Sequence, residues 1–196
     1  SGMGTGKTYM IADYIQRLSA IRPELRVVSI GFRQTLNTAL ATRLQLQNYL
    51  TSEAASLHGV PRVSIQLDSL ARLLVPGGED GLFLLPSAYD VVIIDEVESL
   101  LTHFTSATMQ DKALLCWRIF ECILCQCSKL VVCDADLGDR SLAFISGLGR
   151  DHKHTHVLCN TFASHTTEHA VVHNVVTFTT RLFRHAVKQK RKVYLA

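Results

Sequence analysis

Three glycines in alternation, then a lysine and a threonine, make up Gly2-Met3-Gly4-Thr5-Gly6-Lys7-Thr8 near the start of the chain. Those residue types at that spacing can hold a nucleotide phosphate. Glycine permits backbone conformations that side chains forbid, so successive amide N–H groups can turn inward around a β-phosphate. Lys7 adds a fixed charge for the β- and γ-oxygens, and Thr8 offers a hydroxyl to Mg²⁺. The pattern is G-x-x-x-x-G-K-[ST] with Ser1 in place of the first glycine. Far downstream, Asp95-Glu96 closes the run Asp90-Val91-Val92-Ile93-Ile94. Asp95 would hold Mg²⁺ through water. Glu96 would orient the attacking water or accept its proton, a role worth about 10²–10⁴-fold in rate. Together these residues can hydrolyse a magnesium-bound nucleoside triphosphate.

Positioning them requires particular elements. Met10, Ile11, Tyr14, Ile15 and Leu18 recur at helical spacing over 8–18, and Pro23 limits extension. That helix would aim its positive end at the phosphates. The run before Asp95 is β-branched without alternation, the signature of a parallel strand buried on both faces. Ligands of open α/β sheets bind beyond the carboxyl ends of the strands, where both acids fall. The competing account of Asp95-Glu96, an acidic start to a helix over 97–103, is outweighed by the phosphate loop upstream. Such a loop needs a strand before it, and the sequence opens at Ser1, so the chain is read as a fragment lacking that strand.

Further along, strands are expected over 25–30, 63–66, 90–94, 130–133 and 156–159. Helices are expected over 35–47, 68–74, 97–103, 107–127 and 138–146, with a loop over 76–81. Alternation of this kind predicts an α/β fold with a parallel, doubly wound sheet. The reading gives residues 1–159 as one nucleotide-binding domain, 160–176 as a polar connector and 177–196 as the start of a second domain.

Composition narrows the classes. With 196 residues, 47% hydrophobic and charged residues of both signs, the chain suits a globular protein, and no apolar stretch is long enough to span a bilayer. A net charge of +3 permits nucleic-acid binding without demanding it. Six cysteines, at 116, 122, 125, 127, 133 and 159, argue for reduced thiols in an intracellular protein. Cys122-x-x-Cys125-x-Cys127 has no second pair at zinc-finger spacing and reads as buried small hydrophobes. His152, His154 and His156 alternate as on a solvated strand face.

Three more segments end strands. Ser29-Ile30-Gly31-Phe32-Arg33-Gln34-Thr35-Leu36 can hold a backbone phosphate through Arg33, the Thr35 hydroxyl and helix-start amides. Gln66-Leu67-Asp68-Ser69-Leu70 repeats the arrangement, with Gln66 and Ser69 as the candidates. Asp134-Ala135-Asp136-Leu137 follows the next strand. Taken singly, the arginine could be an ordinary surface charge and the aspartates a helix cap.

In order, the phosphate loop, F-R-Q-T-L, Q-L-D-S-L, D-E-V-E-S-L and D-A-D-L resemble motifs I, Ia, Ib, II and III of the first RecA-like domain of superfamily 2 helicases. Over most of the chain to about residue 142 the likeness is narrower, to the helicase part of the herpesvirus origin-binding protein family, with D-E-V-E-S-L its most telling element. The resemblance implies a RecA-like P-loop fold and an ATP-driven DNA helicase of replication initiation moving 3′ to 5′ on single-stranded DNA. It also implies that Asp134 and Asp136 couple the γ-phosphate to strand movement. A second RecA-like domain would supply an arginine finger, and a separate C-terminal domain would read the origin. Localisation would be intracellular, and nuclear for a eukaryotic protein or one from a nuclear-replicating virus. The isolated fragment is expected to turn over negligible ATP. Two other readings remain: an RNA helicase or other nucleic-acid-stimulated ATPase, and a decayed copy that only binds nucleotide or DNA.

Overall fold

The computed structural model describes residues 6–53, 56–77, 83–84, 88–135, 137–149 and 156. The chain divides into two units, Ser1–Phe162 and Ala163–Ala196, and all the described residues lie in the first. The expected strand over 156–159 apart from residue 156, the connector over 160–176, the start of a second domain over 177–196, and the histidine pair at 152 and 154 fall outside them.

Helix α1 (Lys7–Ile21) leads to β1 (Val27–Gly31), α2 (Gln34–Leu44), the two-residue β2 (Gln47–Asn48) and β3 (Arg62–Gln66). A 3₁₀ segment (Leu67–Leu73) and a short ribbon of β4 (Val75–Pro76) and β5 (Phe83–Leu84) follow. Next come β6 (Val91–Asp95), α3 (Val97–His103), a 3₁₀ turn (Ala107–Met109), α4 (Ala113–Gln126), β7 (Lys129–Cys133) and α5 (Asp139–Gly147). The main sheet has order β2-β3-β1-β6-β7, and every pairing in it is parallel.

Strand composition explains the layering. Side chains alternate across a strand, so the unbroken Val91-Val92-Ile93-Ile94 run feeds both faces. Val91 and Ile93 pack with Ile11 and Ile15 of α1 and Leu40 and Leu44 of α2. Val92 and Ile94 pack with Leu70, Leu100, Phe120 and Ile123 on the other side. All four are fully buried, each worth about 1.5–3 kcal/mol relative to exposure. The opposite end of the sheet is fastened by Asp90, which accepts the Arg26 N–H at 2.8 Å and pairs with Arg22 at 2.7 Å.

Several expectations need correction. The helix expected to reach residue 47 stops at Leu44, because Gln45 turns left-handed (φ 53°) and its N–H bonds Ala41 O; Gln47 then joins the sheet edge beside β3. The segment after β3 is 3₁₀ over its whole length. Leu67, Leu70 and Leu73 recur every third residue, the repeat that lines up in a three-residue turn, and all are fully buried. The long helix expected over 107–127 is broken: fully buried Met109 anchors a 3₁₀ turn, and α4 begins only at Ala113. Val75–Pro76 pairs with Phe83–Leu84, so the expected loop begins inside a ribbon. Of the three cysteines expected to be buried, Cys127 is, Cys122 is half-buried and Cys125 is exposed.

Candidate functional site

Gly6 holds φ 80°, ψ 13° immediately before α1, a left-handed conformation in which an L side chain is strained. It swings the chain abruptly into the helix, placing Lys7 and Thr8 in the first turn. No acidic residue occupies that turn, so the helix's partial positive charge is left uncompensated for an anion. Gly2, Gly4 and Thr5 lie outside the described residues.

Strand alternation gives Asp95 the same face as Val91 and Ile93, the α1 side of the sheet. Its carboxylate is 7% exposed and sits beside Cys133, its register partner on β7. Burial pushes the Asp95 pKa up, the positive charge of Lys7 pulls it down, and the Glu96 N–H bonds Oδ1 at 3.1 Å. The neighbouring Glu96 and Asp134 carboxylates push it up further. The Lys7 charge thus acts on Asp95, 88 positions away in the chain. The same surroundings, burial foremost and Asp95 next, raise the Cys133 thiol to about 11, leaving it un-ionised at neutral pH.

Glu96 is a non-glycine residue in the left-handed region (φ 56°, ψ 54°). It occupies the N-cap position of α3 but its side chain makes no capping bond, unlike an ordinary acidic helix start. A conformation costing about 1–2 kcal/mol is thus held where the carboxylate gains no local bond.

The most heavily bonded acid of D-E-V-E is Glu98, for which the sequence suggested no task. It accepts the Ser141 hydroxyl at 2.6 Å, the Gly138 N–H at 3.0 Å, and Arg140 Nε and Nη2 at 3.1 and 2.8 Å. These bonds, the Ser141 one largest, hold its pKa down at about 2. A Cβ at Gly138 would stand 3.1 Å from Glu98 Oε1, so a side chain there would make the carboxylate shift by a few tenths of an ångström. The Glu98 N–H in turn donates to Asp134 Oδ2 at 2.9 Å. One residue thereby fastens both ends of the 134–141 segment to α3. Asp136 lies outside the described residues.

The remaining candidates line a neighbouring surface. Arg33 is exposed at the N-cap of α2, its guanidinium 4.9 Å from the Phe32 ring centroid, and Thr35 is exposed in the following turn. Gln66 donates to Phe32 O at 2.9 Å and accepts from the Tyr49 hydroxyl at 2.5 Å, so it sets the turn that presents Arg33. Ser69 is half-buried in the 3₁₀ segment, and Asp68 beside it meets His103 Nε2 at 3.2 Å. Sequence reasoning had no handle on Asp68–His103 or Glu98–Arg140, because each joins residues 35 or more positions apart. Among the described residues no His, Cys, Asp and Glu cluster is arranged to hold a metal by itself, the cysteines of α4 included, and no helix is long and apolar enough to cross a membrane.

An all-parallel sheet with helices on both faces, charged residues gathered at its strand ends and a glycine-led helix beside them define a RecA-like α/β domain. A family model described as origin of replication binding protein matches residues 1–194, and the chain belongs to that family. It is 33% identical over 157 residues to a putative replication origin-binding protein of Acanthamoeba polyphaga mimivirus, covering 76% of this chain and 19% of the viral protein. The replication origin-binding protein of varicella-zoster virus (strain Dumas) is 28% identical over 167 residues, covering 82% of this chain and 18% of that protein. An uncharacterized putative helicase R8, also of mimivirus, is 31% identical over 159 residues, with coverage of 76% and 14%. The chain spans less than a fifth of the length of each of these relatives.

Proposed function

We propose that this chain is the ATP-hydrolysing part of a DNA helicase motor acting in replication. The observation that carries the reading is the action of the Lys7 charge on buried Asp95 at the carboxyl ends of β6 and β7. A buried carboxylate with two acidic neighbours and one lysine is short of positive charge, which suits a cation site. Thr8 and Asp95 would hold Mg²⁺, which when bound neutralises charge on the β- and γ-phosphates. Lys7 and the amides around Gly2, Gly4, Thr5 and Gly6 bind the phosphate oxygens. Glu96, strained and without a capping bond, orients the attacking water or takes its proton.

Arg33 and Thr35 hold the backbone of single-stranded DNA, supported by Gln66 and Ser69. Asp134 and Asp136 relay the state of the γ-phosphate, and the Glu98 N–H bond to Asp134 supports that role. A second RecA-like domain supplies the arginine finger, and a separate domain reads the origin. The relatives named for replication origins and as a putative helicase support DNA as the substrate. The protein works inside the cell, in the nucleus where replication is nuclear.

Replacing Lys7 by Ala in the full-length protein tests the assignment directly. ATP-dependent unwinding is expected to disappear, and retained unwinding refutes it. Stimulation of ATP turnover by single-stranded DNA over RNA is expected; the reverse preference points to an RNA helicase.

A further inference from the structure

The turn at Phe32–Arg33, helix α3 with the turn after it, and the start of α5 line an open surface cleft of about 490 Å³. Its walls carry two guanidinium groups, Arg33 and Arg140, and four hydroxyl residues, Ser99, Thr102, Thr105 and Ser106; the Thr102 and Thr105 hydroxyls already donate to Glu98 O and Thr102 O. Glu98, the one acid in the lining, is already bonded to Ser141, Gly138 and Arg140, so little of its acceptor capacity opposes an anion. Among the described residues Arg140 is held through Nε and Nη2, by the Glu98 carboxylate, Glu98 O at 2.7 Å and Thr102 Oγ1 at 2.9 Å. None of these bonds uses Nη1, and the side chain is 55% exposed. Two exposed arginines lining one hollow, with the Ser99 and Ser106 hydroxyls beside them, match the donors that position a phosphodiester.

A second feature gives the cleft a consequence. The carboxylate that holds Arg140 belongs to the residue whose N–H holds Asp134, and Asp134 acts electrostatically on Asp95. Occupancy of the cleft and the arrangement of the acid site thus meet at Glu98.

Resting on the motor reading above, we propose that this cleft binds a phosphodiester of single-stranded DNA between Arg33 and Arg140. Arg140 exchanges its Glu98 carboxylate for that phosphate and so carries strand occupancy to the Asp134 segment. The guanidinium remains charge-paired in both states, and the Glu98 carboxylate, 24% exposed, keeps the Ser141 hydroxyl and the Gly138 N–H.

The test uses the full-length protein, a fluorescent oligo-dT read by anisotropy across a salt series, and a fluorescent ATP analogue with Mg²⁺. Arg140→Ala is expected to weaken oligo-dT about 10-fold and to flatten the slope of log K against log salt by about 0.7, one single-strand phosphate contact. Arg140→Lys keeps the charge and hence the slope. Glu98→Gln loosens the hold on Arg140 and is expected to tighten oligo-dT about 2–3-fold, while stimulation of ATP turnover by the oligonucleotide falls. A purely structural pair would not produce that gain. A wild-type salt slope for Arg140→Ala, or weaker DNA binding by Glu98→Gln, overturns the proposal, as does loss of nucleotide rather than oligo-dT by Arg140→Ala. Should the alanine variant not fold, the Lys and Gln variants decide alone. A wild-type protein that binds neither probe defeats the motor reading itself; one that binds both, with oligo-dT unaffected by Arg140→Ala, defeats only the cleft.

Discussion

The end of β6 and the junction of α3 with α5 each centre on a carboxylate of the same D-E-V-E run, and the two are driven in opposite directions. Asp95 is buried with acidic neighbours, and its pKa is raised despite Lys7. Glu98 is surrounded by donors from α5, and its pKa falls to about 2. On the first group one lysine acts against burial and two acids, whereas the second takes four hydrogen bonds from within the chain. Under the proposed function, that difference separates a site for a magnesium-bound nucleotide from a fastening that holds its surroundings. Removing the first should cost basal chemistry and spare the fold; removing the second should cost stability and touch turnover only through its stimulation by DNA.

The largest expected effect breaks the comparison at Asp95. Asp95→Asn in the full-length protein should lower ATP turnover by about 10³-fold or more, since a charge aimed at the metal is gone. The unliganded variant should nonetheless melt at a higher temperature than wild type, because a buried charge is removed. A lower melting temperature would show that Asp95 is a structural acid. Next comes Gly138→Ala, which sets a methyl 3.1 Å from Glu98 Oε1 and disturbs the fastening. It should lower the melting midpoint by a few degrees without changing affinity for the ATP analogue, and an unchanged midpoint would show that Glu98 is not the anchor.

Acid titration sharpens the contrast. Glu98 has a folded pKa of about 2 against an ordinary 4.5. Its bonds therefore favour the fold fully above the ordinary value, and that contribution fades as pH falls from there toward 2. Asp95 has the opposite sign. Its folded pKa lies above 3.8, so the folded state binds more protons and stability declines as pH rises from 3.8 through the folded value. Glu98→Gln should remove part of the acid-side loss and Asp95→Asn part of the decline at rising pH, each followed by chemical denaturation across pH. The smallest effect is at Glu96. Glu96→Gly relieves the left-handed strain and should stabilise the fold by about 0.5–1 kcal/mol while turnover falls, and a loss of stability would mean that the side chain supports the fold.

Where sequence reasoning succeeded, the signal was local. The β-branched run before Asp95 and the helix over 97–103 are β6 and α3, because a buried parallel strand and a short amphipathic turn depend on the residues themselves. Where it failed, a neighbour in space decided. The 107–127 pattern is helical by periodicity, but Met109 finds a fully buried seat that a straight helix would not give it. Gln47 follows a helical stretch, yet β3 offers it a parallel ladder. The repeat of Leu67, Leu70 and Leu73 was visible and fits a helix of three residues per turn as well as one of 3.6. Burial of all three beneath α4 settles the choice.

By itself the sequence determined an alternating α/β chain, the order of its motifs and the residues able to meet a phosphate and its metal. Those properties follow from residue type and spacing, since glycine, lysine and paired carboxylates carry their chemistry wherever they stand. Only the tertiary structure decided which carboxylate faces Lys7 and which faces Arg140. Pleat parity and helix rotation turn Asp95 and Glu98 toward different neighbours, and burial and hydrogen bonding by those neighbours set what each acid can do.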